Sequence, residues 1–123
     1  MEQPLPVSDD AALVSGAVCE AASALGLKRL QLAHILGVSE PTVARLKSGQ
    51  TTLPPGKSFE LALLLIRVYR GLFAIVGGDG DSLKHWIKTP NHHFQGEIPA
   101  QLMQRIDGII QVVGYLDAMR ARA

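Results

Sequence analysis

Between Leu27 and Gln50 the chain reads LKRLQLAHILGVSEPTVARLKSGQ, and no other stretch limits its fold so tightly. Two short helical periods are separated by a single Gly-Val-Ser step. The first, Arg29 to about Leu36, would bury Leu32, Ala33 and Leu36; the second, about Glu40 to Lys47, would bury Val43 and Leu46. Gly37 takes the turn, where a positive φ is cheap only for glycine. Val38 plugs the space beneath the turn, and Ala33 is small where two helices must cross closely. Ser39 is a good cap for the second helix, and Pro41 is tolerated in its first turn. This is the pattern of a helix-turn-helix, whose second helix can offer a polar side to the DNA major groove. That side would carry Ser39, Glu40, Thr42, Arg45 and Lys47, with Arg29 placed to reach a backbone phosphate. Hydroxyls, guanidinium and ammonium groups suit bases and phosphates. Against DNA stand Lys28, where a capping Ser or Thr is more usual, and a modest basic density. The alternative is a helical core with a solvated face.

The rest of the chain also reads as helices. Residues 1–8 form a tail with two prolines, and Ser8 would cap a helix from Asp9 to Leu25 with Leu13, Ala17, Ala21 and Leu25 as its stripe, widened by Val14 and Val18. Gly26 ends it. Pro54-Pro55-Gly56 forbids helix and marks a boundary, dividing the chain into a helix-turn-helix domain over 9–57 and a second domain over 58–123. Ser58 would cap a long helix reaching about Val76. Phe59, Ala62, Leu63, Ile66 and Phe73 line one side of it, and Leu61, Leu64, Leu65, Val68, Leu72 and Ile75 much of another. A helix apolar nearly all round must be covered on both sides, which points to a second copy of the chain and a homodimer. Shorter helices follow over about Asp81–Lys88, carrying Leu83 and Trp86, and from Pro99, carrying Leu102 and Met103. The last runs from Ile106 toward the C-terminus with Ile106, Ile109, Ile110, Val113 and Leu116 inward. No segment alternates as a strand would, so the fold class is all-α, with about seven helices.

Composition narrows the function. Of the 123 residues 47% are hydrophobic but only 5% aromatic, which suits an aliphatic core of packed helices. Net charge is +1, unevenly spread: Lys28, Arg29, Arg45, Lys47 and Lys57 face only Glu40 within residues 25–57. Local charge governs contact with nucleic acid. The single cysteine, Cys19, rules out an intrachain disulfide. No signal peptide is visible, and the apolar run Leu61–Ile66 is far too short for a bilayer. A cytoplasmic protein without a membrane partner is the expectation.

No nucleophile stands with a base, so an enzyme is not expected. His85, His92 and His93 lie close in sequence, but their spacing fits no ordinary zinc pattern; His92 and His93 read as exposed loop residues, and no metal or cofactor is expected. Gly77-Gly78-Asp79-Gly80-Asp81 lacks the Lys-Ser/Thr of a phosphate loop and the ligand ladder of a calcium loop, and reads as a turn.

The segment WIKTPNHHFQGEIPAQLM, residues 86–103, adds a second signal. With Trp86, Pro90, Asn91, Phe94, Gly96, Pro99 and Leu102 at these intervals, after Leu27–Gln50 and a long apolar helix, the chain resembles the Xre/MbcA/ParS-type antitoxins, partners of RES-domain toxins. The resemblance runs from about residue 12 onward. It implies an Xre-like helix-turn-helix lobe packed with a C-terminal toxin-binding lobe, and a protein that neutralises an NAD-consuming toxin by covering its active site. A larger toxin–antitoxin complex and autorepression through operator DNA go with it. The residues it implicates in toxin binding are Trp86, Asn91, Tyr115, Leu116, Met119, Arg120, Arg122 and the carboxylate of Ala123. By their own chemistry Trp86, Pro90, Asn91 and Gly96 can equally shape the fold, and Arg120 and Arg122 can simply suit a helix C-terminus. The segment Gln104–Gly108 matches the family loosely, and glycines 108 and 114 weaken the last helix. The competing reading is an Xre-like repressor with no toxin partner, whose C-terminal half only dimerises.

Overall fold

A computed structural model describes residues 7–122, with side chains from Asp10 to Arg122. It contains α1 (Val7–Leu25), α2 (Arg29–Leu36), α3 (Glu40–Ser48), α4 (Lys57–Ile75), α5 (Gly80–Lys88), α6 (Pro99–Leu102) and α7 (Ile106–Ala121), with one 3-10 turn at His92–Phe94. No strand occurs among the described residues; Asn91 and Glu97 form an isolated bridge. The fold is therefore all-α, a helix-turn-helix followed by a second helical region.

Two expected caps are displaced. Helix α1 begins at Val7, so Ser8 lies within it rather than before it, and the predicted tail is shorter at its inner end; residues 1–6 lie outside the described residues. Helix α4 begins at Lys57, ahead of Ser58. Its N-cap is Gly56, with φ 118° and ψ −143°, a conformation open to glycine that lets the chain enter a helix directly from Pro54-Pro55.

Helix α1 also faces differently. Leu13 is 72% exposed, and the buried face is Ala11, Ser15, Val18, Ala22 and Leu25, with Ala21 beside it. Ser15 is a polar residue in that buried face. Its hydroxyl donates to the Ala11 carbonyl at 2.5 Å and accepts from the Leu53 amide at 2.9 Å. That second bond ties the Pro-Pro-Gly loop to α1 and satisfies a buried N–H that would otherwise be costly.

Helix α4 is the axis of the molecule. It packs on α1 and on α7, with α2 also against it. Ala62, Leu65, Val68 and Leu72 are buried between these neighbours. The chain itself thus covers most of the apolar circumference that pointed to a second copy. Leu63, Phe73 and Ile75 remain 42–44% exposed. One continuous core runs from Val18 and Leu36 through Leu65 and Leu72 to Leu102 and Leu116, so the two regions share it. A bond between His34 Nδ1 and Gln104 Oε1, 2.9 Å, joins α2 to the turn before α7.

In α7 the inward residues are Ile109, Val112, Val113 and Leu116, whereas Ile106 and Ile110, expected inside, are 56% and 58% exposed. Gly108 explains the rotation. A Cβ there would lie 1.9 Å from the Leu102 carbonyl oxygen. The helix turns its glycine against the end of α6, and Ile106 and Ile110 go outward.

Candidate functional site

The helix-turn-helix is built as its residues require. Lys28 precedes α2 without a hydroxyl cap, and Gln31 substitutes, its side chain accepting from the Lys28 amide at 2.9 Å. Gly37 turns the chain at φ 71°, and Gly49 closes α3 at φ 79°. Leu32, Ala33, Ile35 and Leu36 of α2 and Val43 and Leu46 of α3 are buried. Ser39 caps α3, accepting from the Thr42 amide at 3.2 Å. The two hydroxyls share a 2.8 Å bond, and Arg45 donates to Thr42 Oγ1 at 3.3 Å. Ser39, Thr42 and Arg45 therefore form a bonded row along α3.

Arg29 joins this face. It lines a shallow depression with Glu40, Pro41, Ala44 and Arg45. Lys47 does not join it. Two residues beyond Arg45 it lies about 200° round the helix, where it lines the groove between α1 and the end of α3 and stands near Cys19. Arg45 thus belongs both to the bonded row with Ser39 and Thr42 and to the depression with Arg29 and Glu40, whereas Lys47 belongs to neither.

At the other end of the molecule a second groove forms from α5, the loop after it and α7. The loop is held by its own hydrogen bonds. Asn91 Oδ1 accepts from the His93 amide at 2.9 Å, and the Asn91 carbonyl accepts from Phe94 and Gly96, both 2.9 Å. Gly96 at φ 84° and Gln95 at φ 58° complete the turn. Arg105 donates to the Glu97 carboxylate at 3.3 Å, which raises the pKa of the guanidinium and pins the loop to the start of α7. Phe94 is buried and meets the edge of Trp86 at 5.9 Å and of Tyr115 at 5.2 Å. Trp86 and Tyr115 are half-buried and nearly parallel, 20° apart with centroids at 6.4 Å.

Three of the chain's six aromatic side chains therefore meet here. Sequence reasoning missed what joins them. His93 packs on Tyr115 at 4.8 Å and His92 on His93 at 4.2 Å. Both imidazoles are exposed as expected, yet they belong to the ring cluster. No periodicity could reveal this, because the rings come from three separate elements.

The residues that the resemblance tied to toxin binding separate into three groups. Trp86, Asn91 and Tyr115 line the groove. Met119, Arg120 and Arg122 are exposed at the outer end of α7, and Ala123 lies outside the described residues. Leu116 is buried, 3.4 Å from where a Cβ on Gly71 would sit, and so holds α7 against α4 rather than meeting a partner. Arg67 and Asp117 form an exposed ion pair at 2.5 Å across the same helix pair.

Burial pushes the Cys19 thiol up, with nearby Lys47 opposing, so it is held in the unreactive thiol form. Among the described residues no group of His, Cys, Asp and Glu is arranged to hold a metal ion. Among them, too, no helix is long and apolar enough to cross a membrane.

Comparison with known proteins returns two family matches. Residues 6–67 match the family model of the antitoxin Xre-like helix-turn-helix domain, about half of the chain. Residues 71–122 match that of the antitoxin Xre/MbcA/ParS C-terminal toxin-binding domain. The two matches adjoin within α4, the helix shared by both regions. No individual curated protein matches the chain.

Proposed function

The chain belongs to the Xre-like antitoxins, and from that premise we propose that it binds and neutralises a RES-domain toxin by covering the toxin's NAD-consuming active site. The observation that carries this reading is the toxin-binding match over residues 71–122, which takes in the whole of α7. The outer end of α7 supplies the cover: Met119, Arg120 and Arg122 are exposed, although the stem of Arg120 lies over α4 at Gly71. Arginine there suits an anion site such as one that receives a dinucleotide phosphate. We assign this work to residues 58–123, within the cytoplasm, as a binding function rather than a catalytic one.

Residues 9–57 would bind operator DNA and repress the chain's own promoter. Arg45, held by Thr42, is the natural base reader, and Arg29 the phosphate contact. So few bases on one copy give weak, salt-sensitive binding, so a homodimer or a larger complex with the toxin would do the repressing.

The test is co-expression with a RES-domain toxin, comparing the full chain with one ending at Asp117. The full chain should restore cellular NAD and growth, and the shortened chain should not. If both protect equally, the end of α7 is not the cover. If neither binds the toxin while the full chain shifts its own promoter DNA, the protein is a repressor without a toxin partner.

A further inference from the structure

The resemblance ties Trp86, Asn91 and Tyr115 to toxin binding without saying what they would grip, and these three line one aromatic groove apart from the end of α7. Trp86 and Tyr115 form a half-buried apolar floor. His85, Asn91, His92 and His93 line the groove with them. The indole N–H, the phenol hydroxyl and the rings of His92 and His93 make no hydrogen bond to any described residue. No carboxylate lines the groove. The nearest acid along the loop, Glu97, is already held by Arg105. The site is therefore a flat aromatic floor edged by free donors, with three imidazoles and no anion.

Such a surface complements an acceptor that arrives with an apolar neighbour. Trp and Tyr are the residues most able to anchor an interface, since they bury much area at little entropic cost. Imidazole, indole and amide N–H groups at the rim can each donate to a carboxylate oxygen. Tyr115 ties the groove to the proposed cover. Met119 follows it one helical turn along α7, about 6 Å away, so one partner could rest on both.

We propose that this groove anchors the toxin, and that it receives an acidic segment of the toxin surface, an Asp or Glu side chain beside an aliphatic or aromatic one. This rests on the antitoxin reading and deepens it. Anchoring and inhibition are then separate duties: the groove supplies affinity, and the end of α7 supplies the block.

The experiment measures the dissociation constant for a purified RES-domain toxin, and the toxin's NAD consumption, with the same set of full-length variants. Tyr115→Phe and His93→Ala alter only the groove's polar or exposed edge and should each weaken binding about 5- to 10-fold. The double variant His92→Asp, His93→Asp sets two carboxylates against the acidic segment and should weaken it about 100-fold. Thermal melts of each variant check that the fold is retained. The chain ending at Asp117 should bind within about tenfold of the full chain yet fail to stop NAD consumption.

If the double Asp variant binds as well as the parent, the groove is not the anchor. Tighter binding would mean a cationic occupant and overturn the proposal in that form. If truncation at Asp117 abolishes binding, the tail is the anchor and the division of duties falls. Absence of any toxin binding by the unaltered chain would remove the antitoxin reading itself, a result distinct from all of these.

Discussion

The turn between α2 and α3 and the junction between α6 and α7 both depend on a glycine, for opposite reasons. Gly37 sits at φ 71° with nothing within 4 Å of where a Cβ would stand. Its demand is purely on the backbone, so it is met by three or four consecutive residues. Gly108 has ordinary helical geometry, but a Cβ would strike the Leu102 carbonyl. Its demand comes from another element pressing on it. The helix-turn-helix is thus a local device, whereas the C-terminal region is assembled by contacts between distant residues. The same contrast separates the two candidate interfaces. Ser39, Thr42 and Arg45 lie within seven positions of one helix, while Trp86, His93 and Tyr115 come from three elements.

Substitution at Gly108 should break that contrast most visibly. Gly108→Ala forces α7 away from α6 and should cost on the order of 3 kcal/mol or more. Gly114→Ala, on the same helix in open space, should instead stabilise by about 0.5–1 kcal/mol. Chemical denaturation of both variants tests this, and equal effects would mean that α7 does not press on α6.

Gly37→Ala is expected to be milder. Only the left-handed backbone resists the methyl, so the loss should be about 1–2 kcal/mol, with α2 and α3 still packed. A Gly37→Ala variant less stable than Gly108→Ala would show that the motif's turn is also under tertiary pressure.

The smallest effect concerns a local device inside the C-terminal region. Asp79 caps α5, accepting from the Ser82 hydroxyl at 2.5 Å and the Ser82 amide at 3.0 Å. These bonds, the hydroxyl's first, hold its carboxyl below the usual range. A carboxyl whose folded pKa is lowered contributes stability above its unfolded pKa and loses it as pH falls through the folded one. The gap in melting temperature between the parent and Asp79→Ala should therefore be widest near neutral pH and close under strongly acid conditions. A gap that persists at the lowest pH would assign the cap to geometry rather than charge.

Much of the fold was legible because its signals are local. Helix α2 runs over the residues expected of it, α3 and α5 differ from expectation by about a residue, and α7 starts at Ile106 as expected. Glycine, proline and capping residues act within one turn, so their meaning survives without knowledge of the neighbours. Helix facing was less legible. Periodicity counts apolar residues, so it placed Leu13 inside and overlooked Ser15, whose burial depends on a carbonyl one turn back and on an amide 38 residues on. It also put Ile106 and Ile110 in the core, because it read Gly108 as a weakness rather than a contact.

The sequence alone therefore determined the helical class and the helix-turn-helix, each written in neighbouring residues, and carried the family resemblance. Tertiary structure decided the rest. It packed α4 between α1 and α7, set Lys47 against α1, buried Leu116 and gathered Trp86, His93 and Tyr115 around one groove. The physical reason is range: caps and turns are settled by torsions and hydrogen bonds within a few residues. Which side of a helix is buried, and which rings meet, is settled by packing partners that the chain supplies tens of residues away.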